Sequence, residues 1–449
     1  MSTKPLFTFD FPGTAVVTDD GREVSYGELK RLVDEWAAPI PARSLVFLLV
    51  NNDLGSLVSY LACLNHGIVP LMLTANIDAA LLAALEATYR PFAVYKSGEQ
   101  IKQTADRTAL HRDLALLITT SGSTGSPKLV RQSYANIRAN AESIAEYLKL
   151  DATERPITTL PMNYVYGLSI INSHFLVGAT LLLTNRSIVD REFWSFFVKR
   201  GATSFGGVPY TYEMLDRLMF FRRKLPSLRT LTQAGGKLTP ELHQKFADYA
   251  QREGKNFVVM YGASEATSRM GYLPPERALD KVGSMGIAIP GGRLALLDGE
   301  GGEIQEPDVV GELVYWGPNV TLGYAEAAED LAKGDERQGC YVTGDMAKRD
   351  ADGFYFIVGR KKRFLKIFGN RVSLDETERM IKGAFPQIDC ACAGKDDHMK
   401  VYITDAEYMD RIRAFVSEKT HLNPTAFDVC KIDAIPKNPS GKTLYSQLS

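Results

Sequence analysis

The stretch TTSGSTGSPK, Thr119–Lys128, directly follows the apolar run Leu114–Ile118, which we predict to be a buried strand. Its glycines allow backbone N–H groups to turn toward an anion, and its lysine adds a positive charge. The stretch therefore predicts a phosphate-binding loop, although its composition alone also fits a solvated Ser/Gly loop. The spacing differs from that of the nucleoside-triphosphatase loop. The candidate phosphate contacts are Thr120, Ser121, Gly122, Ser123, Thr124, Gly125 and Lys128.

The composition is typical of a globular protein whose binding partners are small. The 449 residues are 45% hydrophobic, which is enough for two or three domains with their own cores. The net charge is −1 with acidic and basic residues interspersed, so neither a nucleic-acid-binding tract nor a patch for anionic lipids is expected.

The spacing of the cysteines and the length of the apolar runs indicate the cellular compartment of the protein. The five cysteines lack CxxC spacing, and Cys390 and Cys392 alternate as two buried residues of a strand would. No basic N-terminal segment precedes an apolar run, and no run approaches the ~20 residues of a membrane helix. We expect buried thiols and a cytoplasmic location.

Strand and helix patterns alternate along the first part of the chain. Apolar runs at Ser44–Val50, Ile68–Leu73 and Ala93–Tyr95 are separated by helical patterns at Leu54–His66 and Ala79–Tyr89. This alternation predicts the α/β class, with mostly parallel sheets covered by helices. Beyond Pro274, short strands between glycine-rich turns predict a small antiparallel subdomain.

A basic cluster at Gly359–Lys366 follows the apolar segment Phe354–Val358, and we place a hinge there. The remaining residues contain helical patterns at Leu374–Ala384 and near Ala406–Thr420 and two short strands, as in a small α+β domain. The predicted domains are residues 1–358 and a mobile C-terminal domain of residues 359–449.

Six segments in this order resemble the adenylate-forming enzymes, the superfamily of acyl-CoA synthetases, peptide-synthetase adenylation domains and luciferases. The resemblance covers nearly the whole chain. The segments are TTSGSTGSPK, YGASE (Tyr261–Glu265), GELVYWGPNVTLGY (Gly311–Tyr324), YVTGD (Tyr341–Asp345), GRKKRFLKIFGNRVSLDETE (Gly359–Glu378) and PKNPSGK (Pro436–Lys442).

The resemblance implies a reaction in two steps. A carboxylate attacks the α-phosphate of ATP to give an acyl-adenylate and pyrophosphate, and a thiol of CoA or of a carrier-protein phosphopantetheine then takes the acyl group. Two like charges about 4 Å apart repel by roughly 4 kcal/mol at an effective dielectric constant near 20, so a cation must stand between them. By position, Lys442 matches the family's catalytic lysine. Read alone, the same lysine would be solvated surface.

The other nucleotide contacts also come from the resemblance. Glu265 matches the Mg²⁺ ligand, and an oxygen ligand suits a hard cation, although a carboxylate at a helix N-terminus is the alternative. Asp345 and Arg360 match the ribose-binding pair, although the aspartate of TGD could instead cap a turn. The residues expected against adenine and the α-phosphate are Tyr261, Gly262, Ala263, Ser264, Gly235 and Gly236.

Two positions resemble the family's moving parts. Lys362 matches the pivot of the C-terminal domain, which alternates between an adenylation and a thioester-forming orientation. Lys366 resembles a residue brought to the active site in the second orientation, so it is the second candidate catalytic residue.

Two departures from the family pattern indicate which kind of carboxylic acid is the substrate. Tyr164 stands where many acyl-CoA synthetases have histidine, and the aspartate that holds an α-amine in amino-acid-activating domains is absent. A buried ammonium without that partner would cost several kcal/mol, so another small carboxylic acid is favoured. The candidate pocket residues are Tyr164, Tyr166, Gly207, Val208 and those after Glu265, although such aromatic residues are also common in plain packing.

The sequence thus predicts an ATP- and Mg²⁺-dependent ligase that passes an acyl group to a thiol. Two alternatives stay open: an enzyme that feeds a non-thiol acceptor, and a relative that binds the nucleotide without catalysis.

Overall fold

The computed structural model describes residues 5–104, 106–119, 128–367, 370–420, 422–437 and 443–448, with the backbone alone at residues 362, 364, 366, 370 and 371. The chain divides into two compact units. The first comprises Met1–Gly122, Ser126–Arg293 and Tyr315–Tyr341, and the second comprises Ser123–Gly125, Leu294–Val314 and Val342–Ser449.

The strands of the described residues are β1 (Thr14–Thr18), β2 (Glu23–Ser25), β3 (Leu45–Val50), β4 (Val69–Thr74), β5 (Ala93–Lys96), β6 (Glu99–Gln103), β7 (Leu114–Thr119), β8 (Leu129–Ser133), β9 (Leu181–Leu183), β10 (Ser204–Gly207), β11 (Thr230–Gln233), β12 (Asn256–Tyr261), β13 (Gly271–Tyr272), β14 (Ile287–Ala288), β15 (Arg293–Leu297), β16 (Gly311–Trp316), β17 (Gly323–Ala325), β18 (Cys340–Arg349), β19 (Tyr355–Arg360), β20 (Phe364–Ile367), β21 (Asn370–Ser373), β22 (Cys390–Lys395), β23 (His398–Ile403) and β24 (Phe427–Lys431).

The helices are α1 (Tyr26–Ala37), α2 (Leu54–His66), α3 (Ala79–Tyr89), α4 (Tyr134–Tyr147), α5 (Val165–Leu176), α6 (Arg191–Lys199), α7 (Pro209–Arg217), α8 (Pro240–Arg252), α9 (Leu374–Ala384) and α10 (Met409–Thr420). Among the residues with described positions, no helix is long and apolar enough to cross a membrane.

A seven-stranded sheet forms the centre of the first unit, in the order β17-β8-β7-β4-β3-β5-β6. Its inner strands β7, β4, β3 and β5 run parallel. Along β3, Val46 and Leu48 belong to one apolar cluster while Leu45 and Phe47 belong to another, so the strand is buried on both faces. This is the pattern expected of a parallel sheet covered by helices, and the predicted α/β class is confirmed.

A five-stranded sheet, β10-β11-β12-β13-β14, supplies the second framework of this unit. Its first three strands are parallel, and Gly207 pairs with Gln233, which in turn pairs with Val259. The carboxyl ends of the three strands therefore meet at one edge of the sheet. Such an edge is where α/β folds bind ligands.

The second unit contains the four-stranded sheet β15-β16-β18-β19 and a three-stranded sheet, β22-β23-β24. Ile381 of α9 and Ile412 of α10 pack with Cys390 and Cys392 in one apolar cluster, so both cysteines are core residues, as predicted. The domain boundary predicted between residues 358 and 359 falls inside β19. The compact units differ from the predicted domains because β19 pairs with β18, which keeps both strands in one unit.

Candidate active site

The loops after β10, β11 and β12 begin at the shared carboxyl edge of these strands. This edge is formed by local sequence: each of these short strands has a glycine at its last residue or within two residues after it, where the backbone can turn away from the sheet. The predicted site residues that the structure brings to this edge are Gly207, Val208, Gly235, Gly236, Tyr261, Gly262, Ala263, Ser264 and Glu265.

The bend after β11 is narrow at Gly235. Its φ of +85° is the left-handed conformation that favours glycine, and an added Cβ would lie 2.7 Å from the Tyr164 hydroxyl and 3.1 Å from Val208 Cγ1. Buried Gln233 supports the bend, because its Nε2 donates to the Gly236 carbonyl over 2.8 Å. Tyr164, Val208 and Gly235 therefore share one small space.

The two candidate pocket tyrosines differ in environment. Tyr164 is half-buried, and burial raises the pKa of its hydroxyl. Tyr166 is 3% exposed and donates a hydrogen bond of 2.9 Å to Thr232 Oγ1. Tyr164 thus faces the bend, whereas Tyr166 packs behind it, with the ring centroids 6.3 Å apart.

The site loop, Gly262–Arg269, folds back on itself after β12. A Cβ at Gly262 would lie 1.7 Å from the Ser268 carbonyl oxygen, so only glycine fits there. At Thr267 the backbone has φ 63° and ψ −53°, and the Ser268 N–H donates to the Ala266 carbonyl over 2.6 Å. This is a classic-type γ-turn, a strained conformation that the surrounding contacts must hold.

Glu265 occupies the outer part of the site loop. Its Oε1 accepts a 2.6 Å hydrogen bond from the Tyr324 hydroxyl, whose pKa burial and this carboxylate together raise to about 12. Its carbonyl oxygen accepts hydrogen bonds from the N–H and Oγ1 of Thr321, at 3.0 and 2.9 Å. The carboxylate is therefore held in place while remaining partly exposed.

These contacts fit a Mg²⁺ ligand. No group of three or more His, Cys, Asp or Glu side chains able to hold a metal occurs in the described ranges. Mg²⁺ often binds through one or two carboxylates together with substrate phosphates and water, so Glu265 is a suitable single protein ligand.

Two asparagines hold the site loop, and sequence reasoning assigned neither of them a role. Asn319 is 1% exposed, and its Nδ2 donates to the carbonyls of Ala266 and Arg269 at 2.8 and 2.9 Å. Asn140 Nδ2 donates to the Arg269 carbonyl at 3.0 Å. The sequence around Asn319, Pro318-Asn319-Val320, gave no functional signal, because the role of Asn319 depends on a contact across 50 residues.

The predicted phosphate loop joins β7 to β8, an antiparallel pair in which Thr119 lies opposite Leu129. Thr120, Ser121, Gly122, Ser123, Thr124 and Gly125 lie outside the described residues. Lys128, at the start of β8, forms an ion pair of 2.6 Å with Glu326 and is half exposed.

Buried Arg131 is a third residue to which sequence reasoning assigned no role. Its guanidinium donates to the Tyr324 carbonyl at 2.9 Å and pairs with Glu336. It thereby fixes β17, the strand that presents the Tyr324 hydroxyl to Glu265.

In the second unit, Asp345 and Arg360 lie opposite each other on β18 and β19. Arg360 Nε and Asp345 Oδ1 are 2.9 Å apart, and the aspartate is 6% exposed whereas 68% of the arginine side chain is exposed. The predicted ribose pair is thus brought together in space. The side chains of Lys362 and Lys366, and Lys442 as a whole, lie outside the described residues.

The second unit contains a charged cluster, which we call the tail base, formed by Arg363, Asp375, Glu378 and Tyr445. Arg363 pairs with Asp375 and Glu378, and its guanidinium lies 3.5 Å from the centroid of the Tyr445 ring. The Tyr445 hydroxyl donates to Glu378 Oε2 at 2.9 Å. These contacts anchor the chain on the C-terminal side of Lys442.

Comparison with known proteins supports the resemblance. The family model described as AMP-binding enzyme matches residues 83–325. Oxalate–CoA ligase of Arabidopsis thaliana is 30% identical over 349 residues, which is 74% of this chain and 66% of that protein. 2-Succinylbenzoate–CoA ligase of Listeria innocua is 25% identical over 475 residues, covering 97% of this chain and 96% of the relative.

Solved structures agree on the fold. The o-succinylbenzoate CoA synthetase of Bacillus subtilis in complex with its acyl-adenylate intermediate has a TM-score of 0.79 at 22% identity, over 97% of this chain and 95% of that one. ATP-bound MatB of Rhodopseudomonas palustris has a TM-score of 0.80 at 21% identity, over 99% and 97%. The match to the AMP-binding family and the relatives named as CoA ligases support ATP-dependent acyl-adenylate formation and transfer to CoA as the reaction class. The chain belongs to the AMP-binding family of adenylate-forming enzymes.

Proposed function

We propose that this chain is an acid–thiol ligase that couples a small carboxylic acid to CoA through an acyl-adenylate, using ATP and Mg²⁺. One observation carries the proposal: Val208, the bend at Gly235 and the site loop with Glu265 follow the carboxyl ends of three parallel strands, and the Tyr164 hydroxyl lies against that bend. Such an edge gives the acid and the nucleotide neighbouring places.

In the first step a carboxylate oxygen of the acid forms a bond to the α-phosphorus, and the bond from that phosphorus to the bridging oxygen of pyrophosphate breaks. We assign the N–H groups and hydroxyls of residues 120–125, with Lys128, to the phosphates. Tyr261, Gly262, Ala263 and Ser264, with Gly235 and Gly236, flank adenine and the α-phosphate. Glu265 holds Mg²⁺, which when bound offsets phosphate charge.

We assign the remaining roles to residues of the second unit. Asp345 accepts hydrogen bonds from the ribose hydroxyls, and Arg360, which lies opposite it on the strand pair, contacts the edge of the sugar. Lys442 contributes the positive charge that the approach of two anions requires. Lys362 serves as the pivot of the C-terminal segment and Lys366 acts in thioester formation.

In the second step the thiol sulfur attacks the acyl carbon, the bond from that carbon to the adenylate oxygen breaks, and AMP leaves. CoA is the acceptor that the names of the relatives favour. The acids in those names range from oxalate to indoleacetate, so they do not identify one acid. A carrier-protein phosphopantetheine is the competing acceptor, and we place the enzyme in the cytoplasm.

Exchange of labelled pyrophosphate into ATP, screened over short, long, aromatic and amino acids, tests the first step. We expect exchange that depends on the acid and on Mg²⁺. Incubation of the active acid with CoA, a holo carrier protein or an amine then identifies the acceptor, with the thioester of CoA as the expected product. A product formed only with the amine would favour a non-thiol acceptor, and an absence of exchange with every acid would favour a non-catalytic nucleotide-binding protein.

A further inference from the structure

Arg269, the last residue of the site loop, is a buried cation to which the described part of the chain supplies no counter-ion. It is 2% exposed, and no carboxylate among the described residues forms an ion pair with it. Its contacts are neutral: Nη1 donates to the Tyr147 hydroxyl at 2.9 Å and to Met260 Sδ at 2.8 Å, and the guanidinium lies 4.9 Å from the Tyr166 ring centroid. A cation–π contact offsets only part of the several kcal/mol that an unpaired buried charge costs.

The unmatched side of this guanidinium has a defined shape. Within the described part of the chain its Nε is buried without a hydrogen-bond partner, and the hydrogen bonds that its guanidinium makes there come from Nη1. Nε–H and one N–H of Nη2 point in parallel, and this is the edge with which arginine binds a carboxylate through two hydrogen bonds.

The backbone places this side chain beside the acid pocket. Two asparagine amides fix the Arg269 carbonyl, and Glu265 lies four residues earlier in the same loop. The side-chain neighbours Met260, Tyr166 and Tyr147 belong to the apolar cluster that also contains Val208, Ala234 and Tyr164. The site loop thus carries a carboxylate suited to the metal near its middle and, at its last residue, a cation that packs against residues of the pocket's apolar cluster.

Buried water is the competing explanation. Asn140 Oδ1, Ser143 Oγ and His174 Nε2 also lack partners. Since His174 Nδ1 lies 2.8 Å from the Ile170 carbonyl, it carries the proton and leaves Nε2 as an acceptor. Water would satisfy these atoms and the Arg269 N–H groups, but it would leave the charge of the guanidinium unneutralised.

We propose that Arg269 binds a second anionic group of the acid, so that the enzyme activates substrates carrying two carboxylates or a carboxylate with another anionic group. This inference rests on the proposed function. It narrows the acid to a class defined by charge.

Pyrophosphate exchange with matched acids tests the inference. Succinate, glutarate and phthalate are each compared with their monomethyl esters, which keep one carboxylate and nearly the same size. We expect kcat/KM for the best diacid to exceed that of its ester by about 10- to 100-fold, as for a charge-assisted hydrogen-bonded pair. In Arg269→Gln this ratio should approach one, and Arg269→Lys, which keeps the charge without the fork, should retain an intermediate ratio.

Arg252→Gln is the control, since that arginine is exposed and pairs with Glu253. It should keep the wild-type ratio, and retained ATP affinity reports intact folding of each variant. A wild-type enzyme that uses monoesters as well as diacids would overturn the inference while leaving the proposed function standing, and this comparison needs no variant. A ratio unchanged in a folded Arg269→Gln would overturn it too. Absence of exchange with every acid would overturn both.

Discussion

The site loop and the tail base are held in contrasting ways. Asn319 and Asn140 hold the site loop through neutral hydrogen bonds to its carbonyls, whereas Arg363 and Glu378 hold the tail base through an ion pair with both side chains largely buried. A neutral bond contributes about 1 kcal/mol, but breaking a buried pair by removing one ion costs about 3–5 kcal/mol. The site loop is therefore held by several interactions that each stabilise it a little, whereas the tail base is held by a few interactions that each stabilise it strongly.

Lys442→Ala should give the largest effect on catalysis. Loss of one preorganised cation costs about 3 to 4 kcal/mol, so acid-dependent exchange should fall roughly a hundred- to thousand-fold while ATP still binds. Lys431→Ala is the control, because among the described residues that exposed lysine forms its ion pair with Asp433, which is exposed as well. Undiminished exchange in Lys442→Ala would remove the role assigned to the chain end.

Gly262→Ala tests the site loop. The new Cβ would overlap the Ser268 carbonyl oxygen at 1.7 Å, so the loop must shift and carry Glu265 with it. We expect kcat/KM to fall by about 100-fold, as for a misplacement of about 1 Å.

Gly27→Ala in α1 is the matched control. The nearest atom to its Cβ would be Ser25 Oγ at 4.0 Å, and alanine suits a helix interior. Activity should be unchanged there. Equal activity of the two variants would show that the packing of the site loop is not needed for catalysis.

Buried His174 in the first unit makes the stability of the protein depend on pH. Burial lowers the pKa of His174 from 6.5 to about 4, so the folded state resists protonation more than the unfolded state does. The stability that depends on a neutral His174 is therefore fully present above pH 6.5. As the pH falls from 6.5 toward 4, the free energy of unfolding decreases by up to about 3 kcal/mol.

Denaturant unfolding at several pH values measures this loss. His174→Asn keeps a donor for the Ile170 carbonyl and removes the titrating ring, so its stability should change less over the same interval. His398→Asn, at a partly exposed position paired with Asp428, should keep the wild-type slope. A slope in His174→Asn equal to that of the wild type would assign the acid sensitivity to other groups.

Tyr445→Phe should have the smallest effect. It removes one hydrogen bond to Glu378 and keeps the ring that faces Arg363, so we expect a loss of about 1 kcal/mol in stability. Glu378→Gln should cost more, since it leaves the Arg363 charge without one of its two partners. Thermal unfolding of the two variants measures the difference, and a reversed order would show that the ion pair is not the main support of the tail base.

Periodicity predicted the framework well. Helices α2, α3 and α9 have the predicted bounds, and β3 begins one residue later than its predicted run. These elements are recognisable because apolar spacing reports burial directly. Proximity of Asp345 to Arg360 could be expected from the family motifs, and the strand register explains it.

The contacts that hold the site loop in place could not be predicted from the sequence. Arg269 and Arg131 read as ordinary charged residues, although both side chains are almost fully buried. Asn319 reads as a turn residue, although its amide closes the site loop from 50 positions away. Each role depends on a long-range contact, and neither local composition nor spacing records such contacts.

The central claim, that the acid is activated as an acyl-adenylate, is tested most directly by an isotope. The acid is labelled with ¹⁸O in its carboxylate, turned over with ATP and CoA, and the AMP is analysed by mass spectrometry. Attack of a carboxylate oxygen on the α-phosphorus predicts AMP carrying one ¹⁸O and unlabelled pyrophosphate. AMP without the label, or label found in inorganic phosphate, would contradict the account.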